Sequence, residues 1–183
     1  MDVPGVACDA CTLLNLIATD RPEEILPAYG CPCFIVKAVQ SAETLYLRAL
    51  PEDDPAQSIY KVDLSILGEK GVLTAVELTE QEQITYVAYA RDIDDGEAQT
   101  AALAVHRGLW LATDDGKARR FAESKAIQLL RTSEWVKRWA EKDGIGPGAI
   151  RDALRQIEFK ARFRPNSKDP LYTWWRNLYA GSM

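Results

Sequence analysis

The stretch over 94–115 restricts the fold of this chain more than any other. It opens with Asp94-Asp95-Gly96-Glu97, runs through small residues over 98–106, reverses at Arg107-Gly108, and ends in Leu109-Trp110-Leu111-Ala112-Thr113 followed by Asp114-Asp115. Acids at its start suit the positive end of a helix, and Gly108 suits the reversal that ends one. The apolar run after it reads as a short strand. A small-residue helix leading into such a strand is a βα-type unit of a parallel sheet. In sheets of that kind ligands bind beyond the carboxyl ends of the strands. Asp114 and Asp115 stand at such an end, and Glu97 opens the helix that leads to it.

A second strand end of the same kind lies near the start. Val6-Ala7-Cys8 runs into Asp9, and the residues over 10–16 read as a helix with Leu13, Leu16 and Ile17 at helical spacing. Carboxylates brought from distant parts of the chain to one sheet edge repel one another unless a cation sits between them. Hard oxygen ligands suit Mg²⁺ or Mn²⁺, and the chemistry that follows is metal-assisted attack of water on a phosphodiester.

Asp9 after an apolar strand, Glu43 in a following helix, Glu97 in the Asp-Asp-Gly-Glu opening, and Thr113-Asp114-Asp115 with Asp115 eighteen residues beyond Glu97 together resemble the acidic quartet of PIN-domain nucleases. The resemblance covers roughly residues 3–130. It implies a three-layer α/β/α domain that cleaves single-stranded RNA with Mg²⁺ or Mn²⁺, as the ribonuclease toxins of bacterial toxin–antitoxin modules do. It assigns Asp9, Glu43, Glu97 and Asp115 to catalysis, with Asp9, Glu97, Asp115 and Asp114 as metal ligands. Of the adjacent pair, the spacing favours Asp115, with Asp114 in support. Thr113 and Asn15 would orient ligands or water. An antitoxin protein and a second copy of the chain are the further partners to look for, in a cytoplasmic setting without a membrane. The segment over 50–80 and the tail after about 145 exceed the usual length of such toxins. Residues 1–145 are therefore the expected nuclease domain, and 146–183 a helical extension packed on it.

Charge is arranged to match. The net charge is −5, yet residues 1–115 hold 7 Lys and Arg against 20 Asp and Glu, whereas 116–183 hold 15 against 7. An acidic part that holds metals joined to a basic part that holds phosphates suits a metal-dependent nuclease, although segregated surface charge also arises by chance. Lys117, Arg119 and Arg120, directly beyond the Asp pair, are candidates to hold substrate phosphates, with a solvated basic face as the alternative. With 47% hydrophobic residues over 183 positions, the chain suits one domain with a full core. No apolar run reaches the length of a membrane span, and the start lacks the features of a secretory signal.

Several local readings compete. Cys8, Cys11, Cys31 and Cys33 can be drawn as a zinc site, but Cys8 falls in the first strand and Cys11 in the next helix, so ordinary buried thiols are expected. Glu43 falls in a helix expected over 38–50, where most glutamates are simply solvated. A strand over 71–76 precedes a capping box at Thr79-Glu80-Gln81-Glu82 and a helix with Ile84, Val87 and Ala88 on one face. Asp92-Ile93-Asp94-Asp95-Gly96 fails the calcium-loop pattern, since the first and third ligand positions fall on Arg91 and Ile93. His106 ends its helix as a surface or dipole partner rather than a base. A strand over 127–130 leads to a helix capped at Thr132-Ser133-Glu134 and carrying Trp135, Val136 and Trp139. Beyond the break at Gly144-Ile145-Gly146-Pro147, a helix over 147–161 precedes a last one capped by Asp169. There Trp174 and Trp175 serve as a packing anchor in preference to a stacking platform for RNA bases.

Two other function classes fit parts of the pattern. One is a module of the same fold that binds nucleic acid or protein without cutting. The other is a phosphatase of the haloacid dehalogenase type, which needs a second Asp two residues after the first, where this chain has Cys11.

Overall fold

A computed structural model describes residues 3–42, 45–49, 59–142 and 144–180. The first unit is β1 (Val6–Cys8) followed by α1 (Ala10–Ile17). Short α2 (Pro22–Ile25) has proline in its first turn and runs into a 3₁₀ turn over Leu26–Tyr29 that Gly30 ends in left-handed geometry. Then come β2 (Cys33–Val36), α3 (Lys37–Ala42), β3 (Leu45–Arg48), β4 (Ile59–Val62), α4 (Ser65–Glu69) and β5 (Thr74–Val76). The chain continues through α5 (Glu80–Tyr89), α6 (Asp95–Arg107), β6 (Trp110–Ala112), α7 (Gly116–Ser124), β7 (Leu129–Leu130) and α8 (Thr132–Ala140). It ends with α9 (Pro147–Gln156), a π turn over Ile157–Ala161 and α10 (Tyr172–Ala180).

The fold is α/β. Five strands form one parallel sheet in the order β5-β2-β1-β6-β7, with β1 at its centre. Val6, Ala7 and Cys8 are fully buried, as befits a strand covered on both faces. α1 and α2 connect β1 to β2 over one face, and α5 and α6 return the chain from β5 to β6 across the other, as the usual crossover rule requires. The small residues of α6 explain its position. Ala98, Ala101, Ala102 and Ala104 are buried, and the helix lies against β1, β2 and β6. On the opposite face α8 packs against α1, α2 and the 3₁₀ turn, with Trp135 buried and its indole N–H donating to the Leu26 carbonyl at 3.2 Å. The tail joins this face. Leu154, Ile157 and Trp175 belong to the same buried cluster as Leu13 and Leu16, and buried Lys160 donates to Asp20 at 2.6 Å. Trp175 also donates to Glu158 at 2.7 Å, while Lys137 lies over the Trp174 ring. Among the described residues no helix is long and apolar enough to cross a membrane.

Several expectations need correction. The helix expected over 38–50 ends at Ala42, and β3 follows it, pairing antiparallel with β4. Leu45 and Leu47 are buried while Tyr46 is 52% exposed, a period of two that outweighs the apparent helical stripe. Glu43 lies outside the described residues. The capping box of α5 forms between Thr79 and Glu82 as expected, but its apolar stripe is inverted: Ile84 and Val87 are 58% and 60% exposed. α5 packs on α6, where Glu82 takes the Arg107 guanidinium, and its Tyr89 meets Phe121 of α7 edge-on, instead of covering the sheet. The strands expected over 71–76 and 127–130 shorten to three and two residues. Arg131, not Thr132, occupies the cap position of α8, which frees the two hydroxyls that follow for other partners. Asp169 closes a turn before α10, accepting from the Leu171 amide at 2.8 Å. Cys8 and Cys33 are buried thiols, but Cys11 is exposed and Cys31 half-buried.

Candidate functional site at the carboxyl ends of β1 and β6

β1 and β6 are adjacent and in register, Cys8 opposite Ala112, so the next residue of each strand emerges at the same point of the sheet edge. Those residues are Asp9 and Thr113, both buried. The Asp9 amide donates to the Ala112 carbonyl at 3.0 Å, which continues the ladder by one step past the strands. The Thr113 hydroxyl donates to Asp9 Oδ2 at 3.3 Å and accepts the Asp115 amide at 3.2 Å. One hydroxyl therefore bonds both the Asp9 carboxylate and the Asp115 backbone amide, although 104 residues separate it from Asp9.

Asp115 caps α7. Its Oδ1 accepts the amides of Lys117 at 2.6 Å and Ala118 at 2.9 Å, leaving Oδ2 for another partner. Glu97 arrives from the other side, in the first turn of α6, where its Oε2 accepts the Asp94 amide at 3.2 Å. Burial holds the Glu97 carboxyl above its ordinary value, and the charges of Asp115 and Asp94 add to the rise, with the Asp94 amide and Lys117 opposing it. The Asp115 charge thus reaches Glu97. Such mutual repulsion is what a bound cation would relieve.

Asp114 has a different setting. Its Oδ1 accepts the Thr132 amide at 3.2 Å, and its Oδ2 accepts both the Thr132 hydroxyl and the Asn15 side-chain amide, the latter at 3.1 Å. Asn15 also donates to the Thr132 hydroxyl at 3.2 Å. Burial pushes the Asp114 carboxyl above its ordinary value, partly offset by these bonds. With both oxygens engaged, Asp114 ties α1, β6 and α8 together beside the site, and Asn15 belongs with it. The basic trio divides too. Lys117 stands 3.9 Å from Asp94, whereas Arg119 and Arg120 line a cleft farther along α7. His106 is exposed and bonded to Thr85 at 2.7 Å, away from these acids.

Sequence reasoning missed Thr132. The available signal was its place directly after a strand, for β7 is the next neighbour of β6 and 131–132 is a third carboxyl end in the same row. Among the described residues no three His, Cys, Asp or Glu side chains stand close enough to make a metal site by themselves. Compared with protein-family models, curated proteins and solved structures, the chain matches none.

Proposed function

We propose that this chain is a divalent-metal-dependent ribonuclease of the PIN-domain type. The observation that carries the reading is the Thr113 hydroxyl between Asp9 and Asp115 at two adjacent strand ends, with Glu97 within reach of the Asp115 charge. The α/β architecture with a parallel sheet supports it, because this is the edge where such sheets bind ligands.

The donor set fits a hard cation. Mg²⁺ commonly takes only one or two carboxylates and completes its shell with water and substrate phosphate, so it does not require a closed cage of protein ligands. Asp9, Glu97 and Asp115 would hold Mg²⁺ or Mn²⁺, with Glu43 as a further acid from outside the described residues. When bound, the ion supplies charge neutralisation at the phosphate and a more acidic water. The chain's own residues do the rest. Thr113 fixes the rotamer of Asp9, the cap bonds fix Asp115, and the helix bond fixes Glu97, so the acids are positioned before substrate arrives.

Purified protein incubated with end-labelled single-stranded RNA, with and without Mn²⁺, tests the reading alongside Asp9→Asn and Glu97→Gln. Cleavage should require the metal and disappear in both variants while their circular dichroism stays that of the parent. Full cleavage by Asp9→Asn, or cleavage indifferent to chelation, overturns it.

A further inference from the structure

A cleft of about 500 Å³ begins at Gly116, the residue after Asp115. Arg119, Arg120 and Glu123 of α7 form one wall, and Asn166 and Lys168 from the tail form the other. Three cations face one carboxylate, so the cleft attracts anions.

Two details indicate what kind. The Nε of Arg119 is buried and has no hydrogen-bond partner among the described residues. A buried donor on a charged group is costly to leave unmade, and the planar fork of a guanidinium matches the oxygens of a phosphate. Arg120 folds back over the first turn of α7, its Nη1 lying 3.4 Å from where a side-chain carbon on Gly116 would stand. The Arg120 guanidinium is thus drawn toward the end of the helix that adjoins the acids, and Arg119 lines the same cleft.

The tail wall is held as firmly as the site. The turn over 166–169 closes through the Asp169 amide on the Asn166 carbonyl at 2.9 Å, and the Lys168 amide donates to Asn166 Oδ1 at 2.9 Å. Asp169 is anchored in turn by the buried Ser133 hydroxyl, 3.1 and 3.0 Å from its two oxygens. Ser133 follows Thr132, which brackets Asp114. Two consecutive residues of α8 therefore set the distance between the acidic edge and the loop that presents Lys168.

We propose that this cleft holds a backbone phosphate of a single-stranded RNA, next to the one lying at Asp9, Glu97 and Asp115, and that the tail is therefore part of the substrate site. The inference rests on the ribonuclease reading for the neighbouring phosphate. Arg119 lies four residues beyond Asp115, about 6 Å along the helix axis, a separation that one nucleotide spans. A strand is favoured over a small metabolite because the cleft offers charge on both walls and begins at Gly116, the residue next to Asp115.

The test is binding of a short fluorescent oligoribonucleotide to the full chain in chelator, so that no cleavage intervenes, over a range of salt. Arg120→Gln and Lys168→Gln, both at exposed positions, should each weaken binding several-fold and lower the salt slope by about 0.7, the value for one lost phosphate contact on a single strand. Glu123→Gln should tighten binding, a gain that a merely structural role would not produce. Wild-type affinity and slope in the two cation variants overturn the proposal, as does a mononucleotide that competes as well as the oligomer. Weakened binding in a protein that never cleaves sinks the nuclease reading and leaves the cleft standing; normal cleavage with unchanged binding does the reverse.

Discussion

Replacing Glu82 by glutamine probes the clamp that seats α6, the helix carrying Glu97. The buried Glu82 carboxylate accepts Arg107 Nε at 2.7 Å and Nη2 at 3.0 Å, together with the Thr79 amide at 2.8 Å. Arg107 ends α6, so the clamp fixes the last turn of the helix whose first turn holds Glu97. The Arg107 bonds lower the Glu82 carboxyl from 4.5 to about 2, against a desolvation that would raise it. That gap corresponds to about 3 kcal/mol of folding free energy at neutral pH. Arg107 is 33% exposed, and solvent screening brings the expected loss in Glu82→Gln to about 2 kcal/mol. The sign follows from the direction. A carboxyl held below its unfolded value stabilises the fold fully above 4.5, and that stability is lost as pH falls toward 2. Urea unfolding of parent and variant should therefore differ by about 2 kcal/mol at pH 7, with the difference shrinking steadily between pH 4.5 and 2. A difference that does not change with pH, or one below about 0.5 kcal/mol at pH 7, refutes the clamp as drawn.

Two further substitutions address the acidic edge. Thr113→Val removes the hydroxyl shared by Asp9 and Asp115, and metal-dependent cleavage should fall about 10- to 100-fold, as for the loss of a ligand-orienting partner, read in initial rates at saturating Mn²⁺. Glu97→Gln should raise the thermal midpoint at pH 7. The folded protein holds that carboxyl above its ordinary value, so ionisation removes stability as pH rises through the folded value, and the advantage of glutamine should vanish below the ordinary value. Added Mn²⁺ should raise the midpoint of the parent and leave that of Glu97→Gln nearly unmoved in the same thermal scan.

What could be read from sequence was whatever a local pattern dictates by itself. Asp9 after three apolar residues, and the passage from Asp94 through Gly108 to Asp115, each carry their own start, stop and period, so β1, α1, α6 and β6 stand where expected. The errors arose where tertiary context decides. Residues 45–48 fit a helical stripe only if Tyr46 is ignored, and the choice of strand depends on β4, whose own sequence is irregular. Ile84 and Val87 have the spacing of a buried face, yet α6 already occupies the sheet and α5 rests on α6. Thr132 resembled a cap because hydroxyls before helices usually are caps; only the arrival of β7 beside β6 brings Asp114 close enough to take it instead. The order of the strands was not legible at all, since each short apolar run is interchangeable with the others until crossovers and packing rank them.

That order nevertheless brings the carboxyl ends of β1 and β6 side by side. A carboxylate at the end of an isolated strand has ordinary chemistry. Placing β1 beside β6 in register sets Asp9 against Thr113, whose hydroxyl also accepts the backbone amide of Asp115. β7 comes next in the row, and the two residues that follow it, Thr132 and Ser133, reach in different directions: one to Asp114 at the acidic edge, the other to Asp169 in the tail. The tail thus takes its position from the same strand ends as the acids do. Its Lys168 and the arginines of α7 line one cleft beside that edge, so the tail adds positive charge next to the strand ends that carry Asp9, Asp114 and Asp115.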